Sequence, residues 1–532
     1  MDLAVWLFAL WSVTLVLRGH LPYIRHPFEN NVDEGYAMAI GQRMLHGHML
    51  PFVDGVAHSG PMFLFSSAFI AAFGEFSWVP IRVAAATSFA GITALTFLCG
   101  RAAGFSLAGA IASVGIPLMS LLRFTPIDGI SYNAECPVNL FALASLTCAM
   151  HALRTERASL RWVAWAGVFA ACTGLSKQIG GLQATAIAVG VLASTFGHPT
   201  LSRTQRWRTL ASFVGGALVP TVLVLGWFAV HGALGDFYYY LVTYNHEIYM
   251  YHLRTVSRGA DYMQWFEARP LEVGLLVASV SWGLAQPVFA RASGPSFREA
   301  LGRKSFPLTV SLLALAGIVG SRASLRDFDH YYMIAIPWFG LLAGLIAESS
   351  IRSFPQGSRL QQFGSRAVLL LPIVCFCEVL WSMRSQHLVG WSSQLRNQVT
   401  LDVQAQEPAP CKLIQKHTKP EQPIFVWGFR ADLYVSCKRR PASRYVFTSF
   451  VAGYVPWYHY SSKEQEDSLA VPGSRKILLT ELEANKPPII VDSGRSLGDR
   501  SMVRYDELAA YLLTHYQLLE VIDGEPIYLR RS

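Results

Sequence analysis

Residues 3–21 read LAVWLFALWSVTLVLRGHL, an apolar run whose arginine and histidine fall near its end. A membrane-spanning helix needs roughly 20 mostly apolar residues, because about 30 Å of hydrocarbon is crossed at about 1.5 Å per residue. This run meets that length. No basic stretch precedes it and no small-residue cleavage site follows, so it reads as a retained anchor rather than a signal peptide. Comparable blocks recur at Pro61–Phe76, Pro80–Gly100, Ser106–Leu122, Ala134–Leu153, Arg161–Ser176, Gly180–Phe196 and Thr209–His231. The series continues at Glu272–Ala290, Pro307–Gly320, Tyr331–Ala347 and Ala367–Met383, then stops. The expected architecture is a mainly α, polytopic membrane bundle of about 11–12 segments over residues 1–383. Residues 384–532, mixed, polar and interrupted by prolines, are expected to form an extramembrane α/β domain.

The composition agrees. Of 532 residues, 52% are hydrophobic and 15% charged, against about a quarter charged in ordinary soluble domains. That excludes an ordinary soluble enzyme, and the hydrophobicity excludes a disordered chain. The net charge of +9 could point to nucleic acid or to a membrane surface, and its location decides. Basic clusters lie at Arg101, at Arg154, Arg157 and Arg161, at Arg203, Arg206 and Arg208, at Arg291, Arg298, Arg303 and Lys304, and at Arg352, Arg359 and Arg366. Two spans separate each consecutive pair, so all five share a side, which the positive-inside bias makes the cytoplasm. These clusters hold fourteen basic residues against Glu156, Glu299 and Glu348, while the remaining thirty basic and thirty-two acidic residues nearly cancel. The excess therefore reports topology and anionic lipid, not nucleic acid.

This orientation places the N-terminus inside and the C-terminal domain outside. Parity leaves one block too many, and the short Pro61–Phe76 is expected to lie in the interface or re-enter, leaving about eleven spans.

The outward loops then carry the chemically interesting groups. The first contains Val32-Asp33-Glu34-Gly35-Tyr36, an amphipathic stretch Ala37–Leu50, and Asp54; the second holds Asp128, Tyr132, Asn133 and Glu135. Lys177-Gln178 sits at a hairpin, Asp236–Glu267 is dense in Tyr and His, and Arg326 to Tyr332 closes the series. Charges clustered at the interface suggest a hydrated polar cavity. Each also has a plainer role. Asp33-Glu34 suits the N-terminus of a helix, Asp54-Gly55 suits a turn, Lys177 can snorkel, and the Tyr/His loop can be an aromatic belt.

Taken in order, these stretches resemble the GT-C superfamily of polyprenyl-phosphate-sugar-dependent glycosyltransferases, which includes protein O-mannosyltransferases and aminoarabinose transferases. The resemblance rests on Val32 to Ala37, Gly47 to Asp54, His58-Ser59-Gly60-Pro61, Asn133-Ala134-Glu135, Lys177-Gln178, and His330-Tyr331-Tyr332 followed by Pro337 and Leu341 to Gly344. It implies a GT-C-like bundle with Asp33 as general base and Glu34 orienting Asp33 or the acceptor. It also implies a polyprenyl-phosphate sugar donor and an acceptor hydroxyl on a glycolipid, polysaccharide or protein. One carboxylate suffices for a single inverting displacement from a good leaving group, whereas glycoside hydrolases need a second carboxyl group as acid. Lys177, Arg326 and His330 are the candidate cations for the leaving phosphate, and Asp54, His58, Ser59, Glu135 and Tyr331 complete the substrate-binding candidates. Many relatives carry Lys immediately before Gly-Pro, where this chain has Ser59, so the donor phosphate must draw on another cation or sit differently.

In the C-terminal region, Pro423–Gly428, Arg444–Phe447 and Pro488–Asp492 read as strands and Ala431–Ser436 and Tyr505–His515 as helices. Gln517–Ile522, Asp523-Gly524 and Pro526–Arg530 read as a hairpin. Cys411 and Cys437 lie in this external region, where oxidation is permitted, and a disulfide between them is expected; the other six cysteines fall in apolar blocks. No spacing suggests a zinc site, and no cofactor is implied. The enzyme reading competes with a transporter or flippase of lipid-linked sugars and with a membrane scaffold. Transporters place their site near the midplane between internal repeats, and no clear repeat is present. The expected location is the cell (inner) membrane.

Overall fold

The structure is a computed structural model, and it describes residues 2–24, 32–46, 50–57, 59–107, 109–111, 113–114, 131–153, 159–249, 270–292, 296–322, 329–353, 408–455 and 462–531. Among the described residues the apolar blocks are helical, since a segment out of water must satisfy its own backbone groups, and so is the amphipathic stretch after Asp33-Glu34. They are α1 (Asp2–Ile24), α2 (Val32–His46), α3 (Pro61–Ala71), α4 (Val79–Ala102), α5 (Glu135–Leu153), α6 (Leu160–Ser176), α7 (Gly180–Gly197) and α8 (Arg203–Val230). Beyond these come α9 (Pro270–Ala292), α10 (Phe297–Arg303), α11 (Ser305–Arg322), α12 (Asp329–Tyr332) and α13 (Ile336–Ser353). Among the described residues, α4, α5, α7 and α8, with Leu3–Leu21 of α1, are long and apolar enough to cross a membrane. The chain is a multi-pass membrane protein. Helix α3 has 11 residues, about 16 Å at the helical rise, roughly half of a bilayer core.

Helices α8, α6, α5, α4 and α1 follow one another as packed neighbours. Helix α7 packs on α6 and α11, and α11 on α9 and α13. Leu143, Val163, Ile187, Leu313 and Trp338 belong to the core between them.

The C-terminal region carries α14 (Ala409–His417), β1 (Phe425–Trp427), α15 (Asp432–Ser436), α16 (Ser474–Asn485), β2 (Ile489–Asp492), α17 (Asp506–His515), β3 (Tyr516–Ile522) and β4 (Glu525–Arg530). The sheet order is β1-β2-β4-β3, with β1 and β2 parallel and the other pairs antiparallel. Asp523 and Gly524 turn the hairpin with φ of 53° and 79°, the left-handed pair that a two-residue turn of this hand requires. A second core is continuous from this sheet into the bundle. Phe425, Trp427 and Ile490 share it with Tyr434, Tyr36, Met38, Phe63 and Ile81.

Four expectations need correction or qualification. Arg444–Phe447 is no strand, because its backbone bonds elsewhere: the Arg444 carbonyl accepts from Val56 N at 3.3 Å and Tyr445 N donates to Ser443 Oγ at 3.2 Å. The block Tyr331–Ala347 is not one helix but α12, a turn at Met333–Ala335, and α13. The start of the Asp236–Glu267 loop is helical, Leu234–Tyr238 followed by a π-helical Tyr239–Tyr249 in which Asn245 Nδ2 donates to Tyr240 O at 2.9 Å. Finally, Ala367–Met383, much of Ser106–Leu122 and the end of the Tyr/His loop lie outside the described residues.

Candidate active site

Helix α2 lies in the core shared by the bundle and the sheet, and its position follows from glycines and polar clamps. A Cβ on Gly35 would lie 2.7 Å from Asp432 N and 3.0 Å from its Cα, so only glycine lets α2 seat on the start of α15. The Tyr36 ring stacks on Phe447 at 4.4 Å between centroids, and Arg43 donates to Pro441 O at 3.0 Å. The C-terminal end of α15 is fixed in turn, since Cys437 is joined to Cys411 of α14 by a disulfide.

The first turn of α2 presents two adjacent carboxylates to opposite environments. Glu34 is fully buried, pairs with the equally buried Arg82 of α4 at 2.8 Å, and accepts from Tyr132 N at 2.8 Å. Burial pushes its carboxyl up from the ordinary value, against the opposing pull of Arg82 and the Tyr132 amide. The same burial, with Asp33 nearby, raises the Tyr36 phenol well above its usual value. Asp33, by contrast, keeps 45% of its side chain exposed, with His330 Nε2 3.7 Å from Oδ2.

From His330 the site continues through Tyr331, whose ring lies beneath Lys177 Nζ at 4.6 Å. Lys177, at the C-terminal end of α6, is closely paired with Glu135, the buried first residue of α5. Thus Asp33, Glu34, Glu135, Lys177, His330 and Tyr331 are gathered from four parts of the chain. Ser59 enters through its neighbour. Gly60 N donates to Ser176 O at 3.1 Å, and a Cβ on Gly60 would lie 2.2 Å from Leu175 O. The Ser59-Gly60 turn therefore runs against the backbone that leads into Lys177.

Asp54 is not among the gathered groups. Its Oδ2 accepts from Leu50 N at 3.1 Å and closes its own turn, which Arg444 holds through Val53 O at 2.7 Å. His58 and Arg326 lie outside the described residues. Among the described residues no cluster of three or more His, Cys, Asp or Glu is arranged to hold a metal ion. Sequence reasoning missed Arg82, Asn139 and Gln183, each a polar side chain inside an apolar block. An ionisable group at such a position is a functional candidate by default, and that signal was available for Arg82.

The fold and this end of the bundle define the class: a multi-pass helical membrane protein with a carboxylate-and-cation site at the first turn of α2. No family model matches the chain, and no curated protein matches it by sequence. Among solved structures it is similar to ArnT from Cupriavidus metallidurans bound to undecaprenyl phosphate. The TM-score is 0.54 at 16% identity, covering 100% of this chain and 98% of that one. The apo form of the same protein gives a TM-score of 0.55 at 15% identity, covering 99% and 98%. At this identity the likeness is one of fold, and at that level the GT-C resemblance read from the sequence is borne out.

Proposed function

We propose that the protein is a GT-C glycosyltransferase that moves a sugar from a polyprenyl-phosphate donor to an acceptor hydroxyl on the outer side of the cell membrane. The observation that carries this reading is the division of labour among the gathered carboxylates. Glu34 and Glu135 are buried and tied to Arg82 and Lys177, while Asp33 stays open beside His330. An exposed carboxylate at this place can take the acceptor proton as the acceptor oxygen bonds to the anomeric carbon. The bond from that carbon to the phosphate oxygen breaks in the same step, and the configuration inverts. The departing polyprenyl phosphate carries the negative charge, which Lys177 offsets, with His330 beside it. Lys177 lies where the Ser59-Gly60 turn docks, so it supplies the positive charge that Ser59 lacks. That ArnT is solved with undecaprenyl phosphate bound supports a lipid phosphate as the donor carrier here.

On this reading residues 1–383 are the catalytic membrane domain, and residues 384–532 an exoplasmic domain that also seats α2. The N-terminus is cytoplasmic. The test is transfer of radiolabelled sugar from a polyprenyl-phosphate donor by the protein in lipid nanodiscs. Asp33→Asn is expected to lower the rate by about 10²–10⁴-fold with an unchanged thermal midpoint. Full activity in that variant overturns the assignment of Asp33. Movement of the labelled lipid across vesicles without its consumption identifies a flippase instead.

A further inference from the structure

His330 and Tyr331 owe their place to a break in the helix that carries them. Pro337 has no N–H, so the Met333 carbonyl, four residues earlier, loses its regular helical donor. Trp338 N donates to Ala335 O at 3.1 Å, which takes the corresponding donor from the Ile334 carbonyl. Two carbonyls are therefore orphaned deep in an apolar bundle, where an unsatisfied backbone group is costly. Both are taken by side chains of other helices. Asn139 of α5 donates to Met333 O at 2.7 Å, and Gln183 of α7 donates to Ile334 O at 2.8 Å. Both amides are fully buried. Each lies about one helical turn below the end that bears a site group: Asn139 four residues after Glu135, and Gln183 in the first turn of the helix that follows Lys177.

We infer that Asn139 and Gln183 are positioning residues that hold the broken α12–α13 corner so that His330 faces Asp33 and Tyr331 lies beneath Lys177. This rests on the proposed function in one respect: that His330, Tyr331 and Lys177 face the reacting groups. The corner is fixed from the same two helices that bear or follow Glu135 and Lys177, so its register to the site does not depend on the loops around it. A displacement of about 1 Å in such a group costs about a hundredfold in rate.

The test compares wild type, Asn139→Leu and Gln183→Met in lipid nanodiscs. Three quantities are read: kcat and KM for the donor, the thermal midpoint, and amide hydrogen exchange over residues 329–335. Both variants are expected to lose at least tenfold in kcat/KM and to exchange faster over 329–335. Pro337→Ala introduced into Asn139→Leu gives the Met333 carbonyl an intrahelical donor. That double variant is expected to regain thermal stability without regaining turnover, because the carbonyl is satisfied while the corner is straightened.

Recovery of turnover together with stability overturns the inference, since satisfying the carbonyl would then be all that Asn139 does. So does wild-type kcat/KM in both single variants when Asp33→Asn is inactive, an outcome that leaves the proposed function standing. If wild type transfers no sugar, the proposed function fails. The structural half of the inference then stands or falls on the exchange at 329–335.

Discussion

The two sides of the α2 N-terminus hold similar pairs to different ends. On the sealed side, Glu34 and Arg82 are both buried and bonded to each other. On the open side, Glu135 is equally buried, but its partner Lys177 keeps 20% of its side chain exposed and lies over Tyr331. A buried ion pair is weak evidence of stabilisation, because desolvation offsets most of the attraction. What such a pair does well is fix a register. The sealed pair fixes α2 to α4, and so aims Asp33. The open pair holds a partly exposed cation, which the proposed function assigns to the phosphate. Adjacent carboxylates in one turn diverge because successive helical residues project about 100° apart.

This difference predicts opposite behaviour in two double-variant experiments. Arg82→Leu leaves Glu34 buried and unpaired and is expected to destabilise the protein by about 3–5 kcal/mol, read as a large fall in thermal midpoint with loss of activity. Adding Glu34→Gln removes the stranded charge while keeping an acceptor for Tyr132 N, and is expected to restore most of the midpoint and of the turnover, since a neutral contact can also fix a register. On the open side, Lys177→Met strands Glu135 in the same way. Adding Glu135→Gln is expected to restore the midpoint while turnover stays at least tenfold down, because the Lys177 charge proposed to offset the leaving phosphate is gone. Should turnover return with stability there too, Lys177 is structural and the two sides are alike.

Much of this architecture was legible in the sequence. The apolar blocks declare themselves by length, and the outward acidic turn at Asp33-Glu34 by contrast with them. The pairings were not, because they join residues far apart in the chain. Nothing local in Pro80–Gly100 says that Arg82 meets Glu34, although an arginine within a spanning block demands a partner. Asp54 read as a candidate from its loop, but an Asp before Gly also closes a turn, and here its carboxylate is spent on Leu50 N. The break at Met333–Ala335 was signalled by Pro337 and overridden by the hydropathy of the block around it. The π-helical turn at Tyr239–Tyr249 leaves no such mark. Its wide backbone is filled by side-chain amides, Asn245 on Tyr240 and Gln178 on Leu241.

The smallest effect expected on the open side belongs to Tyr331. A lysine over an aromatic face gains about 0.5–2 kcal/mol according to how far it is desolvated, and Lys177 is largely but not fully shielded. Tyr331→Leu removes the face and frees the ammonium to move, so KM for the donor is expected to rise a few-fold while kcat falls less. Tyr331→Phe keeps the face and is expected to match wild type within about twofold, the loss of a phenol quadrupole that differs little from benzene's. Steady-state kinetics of the two variants separate the ring from its hydroxyl. Equal damage in both assigns Tyr331 to the site through its hydroxyl and leaves Glu135 as the group that aims Lys177. Damage in Tyr331→Leu alone shows that the cation is held from two directions, by the Glu135 carboxylate and by the ring beneath it.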